Sequence, residues 1–432
     1  GSLLGSAALR RGAAELRLRA DALRVERGMP GSVVQPSLGA RQEQTRASAG
    51  LSAAAPLGGM DWRAALDVQR QGAEYRDPDP PLAEPYRETV EVDGAGGTLS
   101  AGAAAGPLAL AAGVEGRELR FRSTMLAEGA PRSQRLGAGW VQGRASLAPA
   151  PGWTVEVAPG LRADWSSLPD RAVLSPRATL AAGTARATLR LSAGSAFAPP
   201  ALADQFFQEG VLARPNPDLR PERVRGEVEA AVELRGLRLG GAVLEAEAAA
   251  FRADVDGMVL WFPDHRFVWR PENFDVRRRG WEAAASARLP FAGVELRGGA
   301  AGVAVEYDSP VLSGQVVYRP RATASGSLGA RLPAGFRGEV AARYVGSRRT
   351  TPGSALNTLP PFAMADVRLA RALALAGWSG EATLAVENVL DRDAAMLVDH
   401  PYPGRSWSLG LRLRHGPRRT GPGDNPHTGD VP

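Results

Sequence analysis

The chain alternates with a period of two. Along residues 223–235, Val224, Val228, Ala230, Val232 and Leu234 take one parity. Arg223, Arg225, Glu227, Glu229, Glu233 and Arg235 take the other. Such a pattern is a β-strand with one apolar and one polar face, and it cannot be laid on a helix. Leu16, Leu18, Ala20 and Ala22 alternate in the same way with Glu15, Arg17, Arg19 and Asp21, and Trp153, Val155 and Val157 with Thr154 and Glu156. About eighteen or nineteen such segments can be traced along the chain. After Ala22 the parity slips, and Leu23 and Val25 become the apolar set. One inserted residue shifts every later side chain to the other face, so the slip predicts a β-bulge near Ala22.

The connections alternate as well. Short ones fall near 149–152, 183–184, 236–240, 290–293, 333–335 and 376–380. Long ones fall at 123–134, 197–222, 254–280, 307–315, 346–362 and 391–405; the connection at 166–171 is short where a long one is due. Period-two strands joined by alternating short turns and long loops are the pattern of an antiparallel up-and-down transmembrane β-barrel, an all-β fold. A barrel buries every backbone group in its own ladder, which lipid demands. A propeller or solenoid would repeat a motif at a fixed period, and none is present. Trp140, Trp153, Trp165, Trp281, Tyr344 and Trp407 fall near strand ends, which predicts an aromatic girdle at the lipid–water boundaries.

Composition agrees. Aromatics make up only 6% of residues and glycine 51 positions, so a conventional core would gain little from each side chain. No apolar run is long enough for a transmembrane helix. The absence of cysteine excludes disulfides, thiolate metal sites and cysteine nucleophiles. The net charge of +6 comes from arginines spread singly along strands, not from a clustered patch, which argues against a nucleic-acid partner. The start, GSLLGSAALRRG, does not read as a leader, so an export signal is expected outside this chain. Residues 1–414 are expected to form the barrel and 415–432, rich in Pro and Gly, a disordered tail.

A long connection, Phe197–Glu222, carries five prolines and ends in Asn216-Pro217-Asp218-Leu219-Arg220-Pro221-Glu222. Pro217 and Pro221 push Asn216 and Arg220 toward extended backbone, so this is a shaped loop at one rim of the sheet. Asn216 and Asp218 are turn formers, and Glu222 is a lumen ion-pair candidate. Asn388 and Asp391 read as turn formers too, with Arg405 as a charged partner for Asp391. The loop 261–270 gathers Trp261, His265, Arg266, Trp269 and Arg270, a set suited to an anionic or aromatic ligand; self-packing and a girdle role are the alternative. The four histidines stand at no metal-ligand spacing, and no catalytic triad, P-loop or dinucleotide turn occurs in a supporting context, so no metal, cofactor or enzyme activity is expected.

Three segments, in order, resemble TonB-dependent outer-membrane receptors of the vitamin B12 and siderophore type. The first is Phe197-Ala198-Pro199 and Leu202 followed by Asn216–Glu222. The second is Asp254-Val255-Asp256-Gly257-Met258-Val259, then Asn273 and Gly280-Trp281-Glu282. The third is Glu387-Asn388-Val389-Leu390-Asp391, then Tyr402-Pro403-Gly404-Arg405-Ser406-Trp407. The resemblance implies a barrel of about 22 strands with a plugged lumen. It also implies location in the Gram-negative outer membrane and uptake of a large, scarce ligand such as a ferric siderophore or cobalamin. Its partners would be outer-membrane lipid, that small-molecule ligand, and TonB reached through a plug domain. Neither plug nor TonB-contacting segment is found here, so the chain is expected to be an N-terminally incomplete receptor barrel. The alternative is a passive pore or a non-functional remnant.

Overall fold

The computed structural model describes residues 1–432 apart from 81–83, 211, 265, 311, 353, 355, 376 and 416–432. Among these residues nineteen strands form one antiparallel sheet. They are β1 (Ser2–Arg11), β2 (Ala14–Gly28), β3 (Arg41–Leu57), β4 (Met60–Asp77), β5 (Tyr86–Ala105), β6 (Leu108–Ser123), β7 (Ser133–Leu147), β8 (Thr154–Ser167), β9 (Asp170–Gly183), β10 (Ala187–Ala198), β11 (Glu222–Leu239), β12 (Ala242–Pro263), β13 (Trp269–Arg288), β14 (Glu295–Tyr307), β15 (Ala322–Arg331), β16 (Phe336–Val345), β17 (Phe362–Leu375), β18 (Trp378–Glu387) and β19 (Ser406–His415). Each pairs with its neighbours in sequence, from the β1–β2 ladder to the β18–β19 ladder. One cavity of about 1180 Å³ is lined from ten successive strands, β7 through β16, so the sheet curls around a lumen.

Alternation sets what each face meets. Along β11 the outward Val228 is 60% exposed, while the inward Glu229 reaches Arg190 of β10 at 3.7 Å. Large apolar side chains are thus the exposed ones and charges line the interior, the inverse of a water-soluble domain. The outward surface requires lipid. The inward charges pair across strands, Arg278 with Glu227 at 2.6 Å and Arg162 with Glu115, and along a strand, Arg162 with Asp164 at 2.8 Å. Arg117 of β6 reaches Asp67 of β4 at 2.7 Å by lying across β5. Gly96 makes room for it: a Cβ there would stand 3.2 Å from the Arg117 Nε. Gly160 does the same for Arg177, whose Nη2 donates to Gln142 at 2.6 Å.

Three readings of the strands need correction. No bulge lies near Ala22: β2 pairs residue for residue with β3 from Glu15–Ala54 to Gly28–Arg41. Leu23 and Val25 therefore share the inward face, and Arg24 and Glu26 point outward. The parity slip marks the place where β2 leaves the lipid, so that its outward positions become charged. Bulges occur instead between Gly194 and Ala196, Val224 and Gly226, Leu234 and Leu237, and Val255 and Met258. The long loop read at 254–280 is mostly strand, with only 264–268 outside β12 and β13. Trp140 is not a girdle residue: it pairs in register with the inward-facing Arg162 and covers Gly113. Ser2–Arg11 is a strand that the alternation did not signal, because its apolar residues do not keep one parity. Trp153, Trp165, Trp281, Tyr344 and Trp407 do face outward and are 40–68% exposed. The expected tail falls, from 416 onward, outside the described residues.

Candidate functional site at the long-loop rim

The connection between β10 and β11 folds back over the rim and is held at both ends. Its short helix α1 (Leu202–Phe206) leads to a bridge between Phe207 and Leu126 of the β6–β7 connection. The Gln208 N–H donates to the Met125 carbonyl at 2.7 Å and the Ala127 N–H to the Phe206 carbonyl at 2.9 Å. Further on, residues 212–214 take the free edge of β13: Trp269 N–H donates to the Leu212 carbonyl at 2.8 Å and Arg214 N–H to the Trp269 carbonyl at 2.9 Å.

The motif residues fix this fold-back. Asn216 is buried, and its amide donates to the Pro271 carbonyl at 2.9 Å while its carbonyl oxygen accepts from Arg270 at 2.9 Å and from the Asp218 N–H at 3.2 Å. Leu219 is buried beside the exposed Pro217. Asn273 reads the backbone of two segments: its oxygen accepts from the Arg220 N–H at 2.8 Å, and its amide donates to the carbonyls of Arg220 at 2.9 Å and Gly257 at 2.7 Å. Glu222 accepts from the Val259 N–H at 2.7 Å instead of pairing with a lumen cation. Gly257 turns at φ 69°, with the Pro221 carbonyl 3.4 Å from where its Cβ would stand, and its N–H donates to Asp275 at 2.8 Å. Gly280 leaves space for the Phe251 ring, and Glu282 lines the lumen cavity. An apolar cluster of Val255, Val276, Val305, Tyr307 and Val316 packs beneath.

The candidate ligand residues are partly separated. Trp261 pairs with Pro271 and Trp269 with Pro263, so both indoles share one face of the β12–β13 hairpin. Arg270 pairs with Phe262 on the other face and spends its guanidinium on Asn216. Trp261 is 39% exposed, packs on Phe207 at 5.5 Å between ring centres, and hydrogen-bonds the Asp204 carboxylate. Burial pushes the Asp204 carboxyl up from its ordinary value, and the indole opposes that shift. Arg266 is exposed at the hairpin tip; His265 lies outside the described residues.

A second constellation closes the β18–β19 connection. Asn388 is buried with φ 49°, and its amide donates to the Arg392 carbonyl at 3.0 Å and the Pro403 carbonyl at 3.3 Å. Asp391 accepts from the Arg405 backbone N–H at 2.8 Å, so this contact is made by the main chain and not by the guanidinium. Gly404 lies so close that a Cβ would stand 3.1 Å from the same carboxylate. Sequence reasoning missed Arg348. It is fully buried, stacks over Phe362 at 5.2 Å, and donates to the carbonyls of Gly346, Pro360 and Ala395 at 2.9, 3.2 and 2.7 Å. Burial lowers the pKa of its guanidinium. One arginine among many in the chain carried no signal that would single it out. Among the described residues no His, Asp and Glu cluster is placed to hold a metal ion.

The family model for TonB dependent receptor-like β-barrels matches residues 26–389. No curated protein sequence matches the chain. Among solved structures, the siderophore receptor PirA from Acinetobacter baumannii is 12% identical, with 95% of this chain and 70% of that one covered at a TM-score of 0.70. The ferric-catecholate import receptor Fiu from E. coli K12 is 13% identical, with 96% and 74% covered at 0.72. The copper transporter OprC is 14% identical, with 95% and 71% covered at 0.73. At such identities the structures show a shared fold, and the family match carries the assignment. The chain belongs to the TonB-dependent receptor β-barrel family, whose members are receptors and transporters of the Gram-negative outer membrane and not enzymes.

Proposed function

We infer that this barrel serves TonB-dependent uptake of a large, scarce ligand of the ferric siderophore or cobalamin type. The family match over residues 26–389 carries this reading. The rim adds support for the ligand's chemistry. Trp261 and Trp269 offer aromatic surface on one face of a hairpin whose tip bears Arg266, an arrangement that suits an anionic, aromatic chelate. A siderophore, a ferric catecholate and copper in the names of structures with this fold favour a metal-bearing cargo. In this reading Arg270 supports the hairpin through Asn216 and does not itself touch ligand. TonB would act through a plug domain in the lumen.

The test is uptake of radiolabelled ferric siderophores and of cobalamin by cells carrying the protein in its native form, with and without TonB. Accumulation that requires TonB is the expected result. Equal accumulation in both backgrounds would overturn the reading in favour of a passive pore. The intact mass of the protein from native outer membranes decides what is being tested. The chain itself is 45.3 kDa, and a mass larger by a plug-sized domain is expected.

A further inference from the structure

The ladder between β9 and β10 stops short. It runs from Gly183–Thr188 to Arg177–Gly194 and ends there. Beyond it β9 continues to Asp170 on β8 alone, and β10 continues to Ala198 on β11 alone. Among the described residues no further backbone hydrogen bond reaches the open edge at 171–176. The sequence supplies the cause. Pro176 has no N–H to give, and its carbonyl stands 3.4 Å from where a Cβ on Gly194 would be. On β10 a bulge between Gly194 and Ala196 follows at once.

The parted strands enclose a cavity of about 290 Å³. Arg171 and Val173 line it from the lumen face of β9, and Ala172 and Leu174 from the outer face, so the cavity crosses the wall. Ala172 pairs in register with the girdle residue Trp165, which sets the outer mouth at the lipid–water boundary. On the far side stand Phe197 and its register partner Arg223, with Arg220 and Asp256. Asp256 is the one carboxylate among the described lining residues, and it reaches Arg225 at 3.4 Å. Nearby Asp254 is engaged by Arg277 at 3.5 Å, Asp164 by Arg162 at 2.8 Å, and Glu222 by the Val259 N–H at 2.7 Å. Among the described residues Arg171, Arg220 and Arg223 make no ion pair, so the cavity keeps an excess of positive charge.

We propose that this notch is a lateral entry that binds an acidic, single-chain amphiphile. Its head meets Arg220 and Arg223, and its chain passes Phe197, Ala172 and Leu174 into the wall. An unpaired strand edge cannot stand in hydrocarbon, so water or a polar ligand must reach 171–176. The cavity has room for one alkyl chain and not for the several chains of a glycolipid. The site lies in the wall, so it stands or falls separately from the uptake reading.

The chain has no cysteine, so single cysteines can carry a small fluorophore. Val173→Cys places it at the notch. Thr179→Cys places it on the same lumen face of β9, where the ladder with Ser192 of β10 is intact. The full chain is used in proteoliposomes at alkaline pH, with stearate carrying a nitroxide near its chain end as the probe. A nitroxide-bearing phosphatidylcholine is the second quencher. The labelled stearate should quench the fluorophore at 173 saturably and several-fold more than at 179, and the phosphatidylcholine should quench neither. Dodecanoate should displace the probe, and dodecanol should not. The variant Arg220→Gln/Arg223→Gln should weaken binding by about tenfold, the order expected when charge-assisted hydrogen bonds are lost. Equal quenching at both sites, equal quenching at 173 by both probes, displacement by dodecanol, or an unaffected double variant would each overturn the proposal. The comparison of acid with alcohol decides even where the double variant does not fold.

Discussion

Asn216 shows how a loop motif can hold structure without touching ligand. Its side chain serves the Pro271 carbonyl, Arg270 and the Asp218 N–H at once, from a buried position. Asn216→Ala would leave those groups without partners, a cost of about 1–3 kcal/mol for each buried group left unmade. The expected outcome is faster proteolysis within 197–221 while the barrel stays folded. The neighbouring Asp204 makes the same loop sensitive to pH. Burial raises its folded pKa above the ordinary 3.8, so the docked loop favours the neutral acid. Docking is then firmest below the ordinary value and weakens as pH rises through the raised one. Hydrogen exchange at 202–216, corrected for intrinsic rates, should report more protection in acid than at neutral pH. Asp204→Asn should remove that dependence, and an unchanged pH profile in the variant would contradict the assignment. The asparagines were legible because proline and turn chemistry flanked them. Asp204 and Arg348 were not, because their burial depends on segments distant in sequence, and period-two patterning says nothing of loops.

At the level of the strand, alternation was the legible signal, and on β2 it was misread where its meaning changed. Along β2 the inward set continues unbroken from Glu15 to Val25, yet its chemistry turns from charged to apolar. A slip in hydrophobic parity has two causes, an inserted residue or a change of solvent, and the sequence pattern is the same for both. The register with β3 decides for the second. The same logic ranks substitutions within one strand. Leu66 faces lipid within the apolar band of β4, and Ala65 faces the lumen beside Asp67. Leu66→Arg should cost about 2–4 kcal/mol, as charge placed toward mid-bilayer does in barrels of this kind. Ala65→Arg should change stability far less, because the lumen is wet and a carboxylate is near. Denaturant unfolding of the two variants in the same lipid would show the difference, and equal losses would mean that the two faces are wrongly assigned.

The molecule as a whole is a barrel inserted between two solvents, and its outward surface records where the boundary lies. On β2–β6 the record is the ion pairs Arg24–Glu43 at 2.8 Å, Arg76–Glu26 at 2.9 Å and Arg87–Glu74 at 2.6 Å. On β12–β14 it is Arg277 with Asp254 at 3.5 Å and with Asp308 at 2.9 Å, and Arg279 with Glu306 at 3.4 Å. Both groups lie on the outward face on the long-loop side of the apolar residues. The chain has no cysteine, so single cysteines can be introduced one at a time and probed with a membrane-impermeant maleimide. Between Trp62 and Val68, labelling in proteoliposomes should alternate, with 63, 65 and 67 reactive and 62, 64, 66 and 68 shielded. From Gln69 to Arg76 every position should react, since both faces are then in water. On β2 the two explanations of the parity slip part company. With the unbroken register, cysteines at 22 and below alternate, and both 23 and 24 react. A bulge at Ala22 would instead carry Leu23 and Val25 outward and shield them while the lipid lasts. Reactivity at both 23 and 24 would therefore place the lipid boundary at Ala22 and fix the height of the outward ion-pair belt around the barrel.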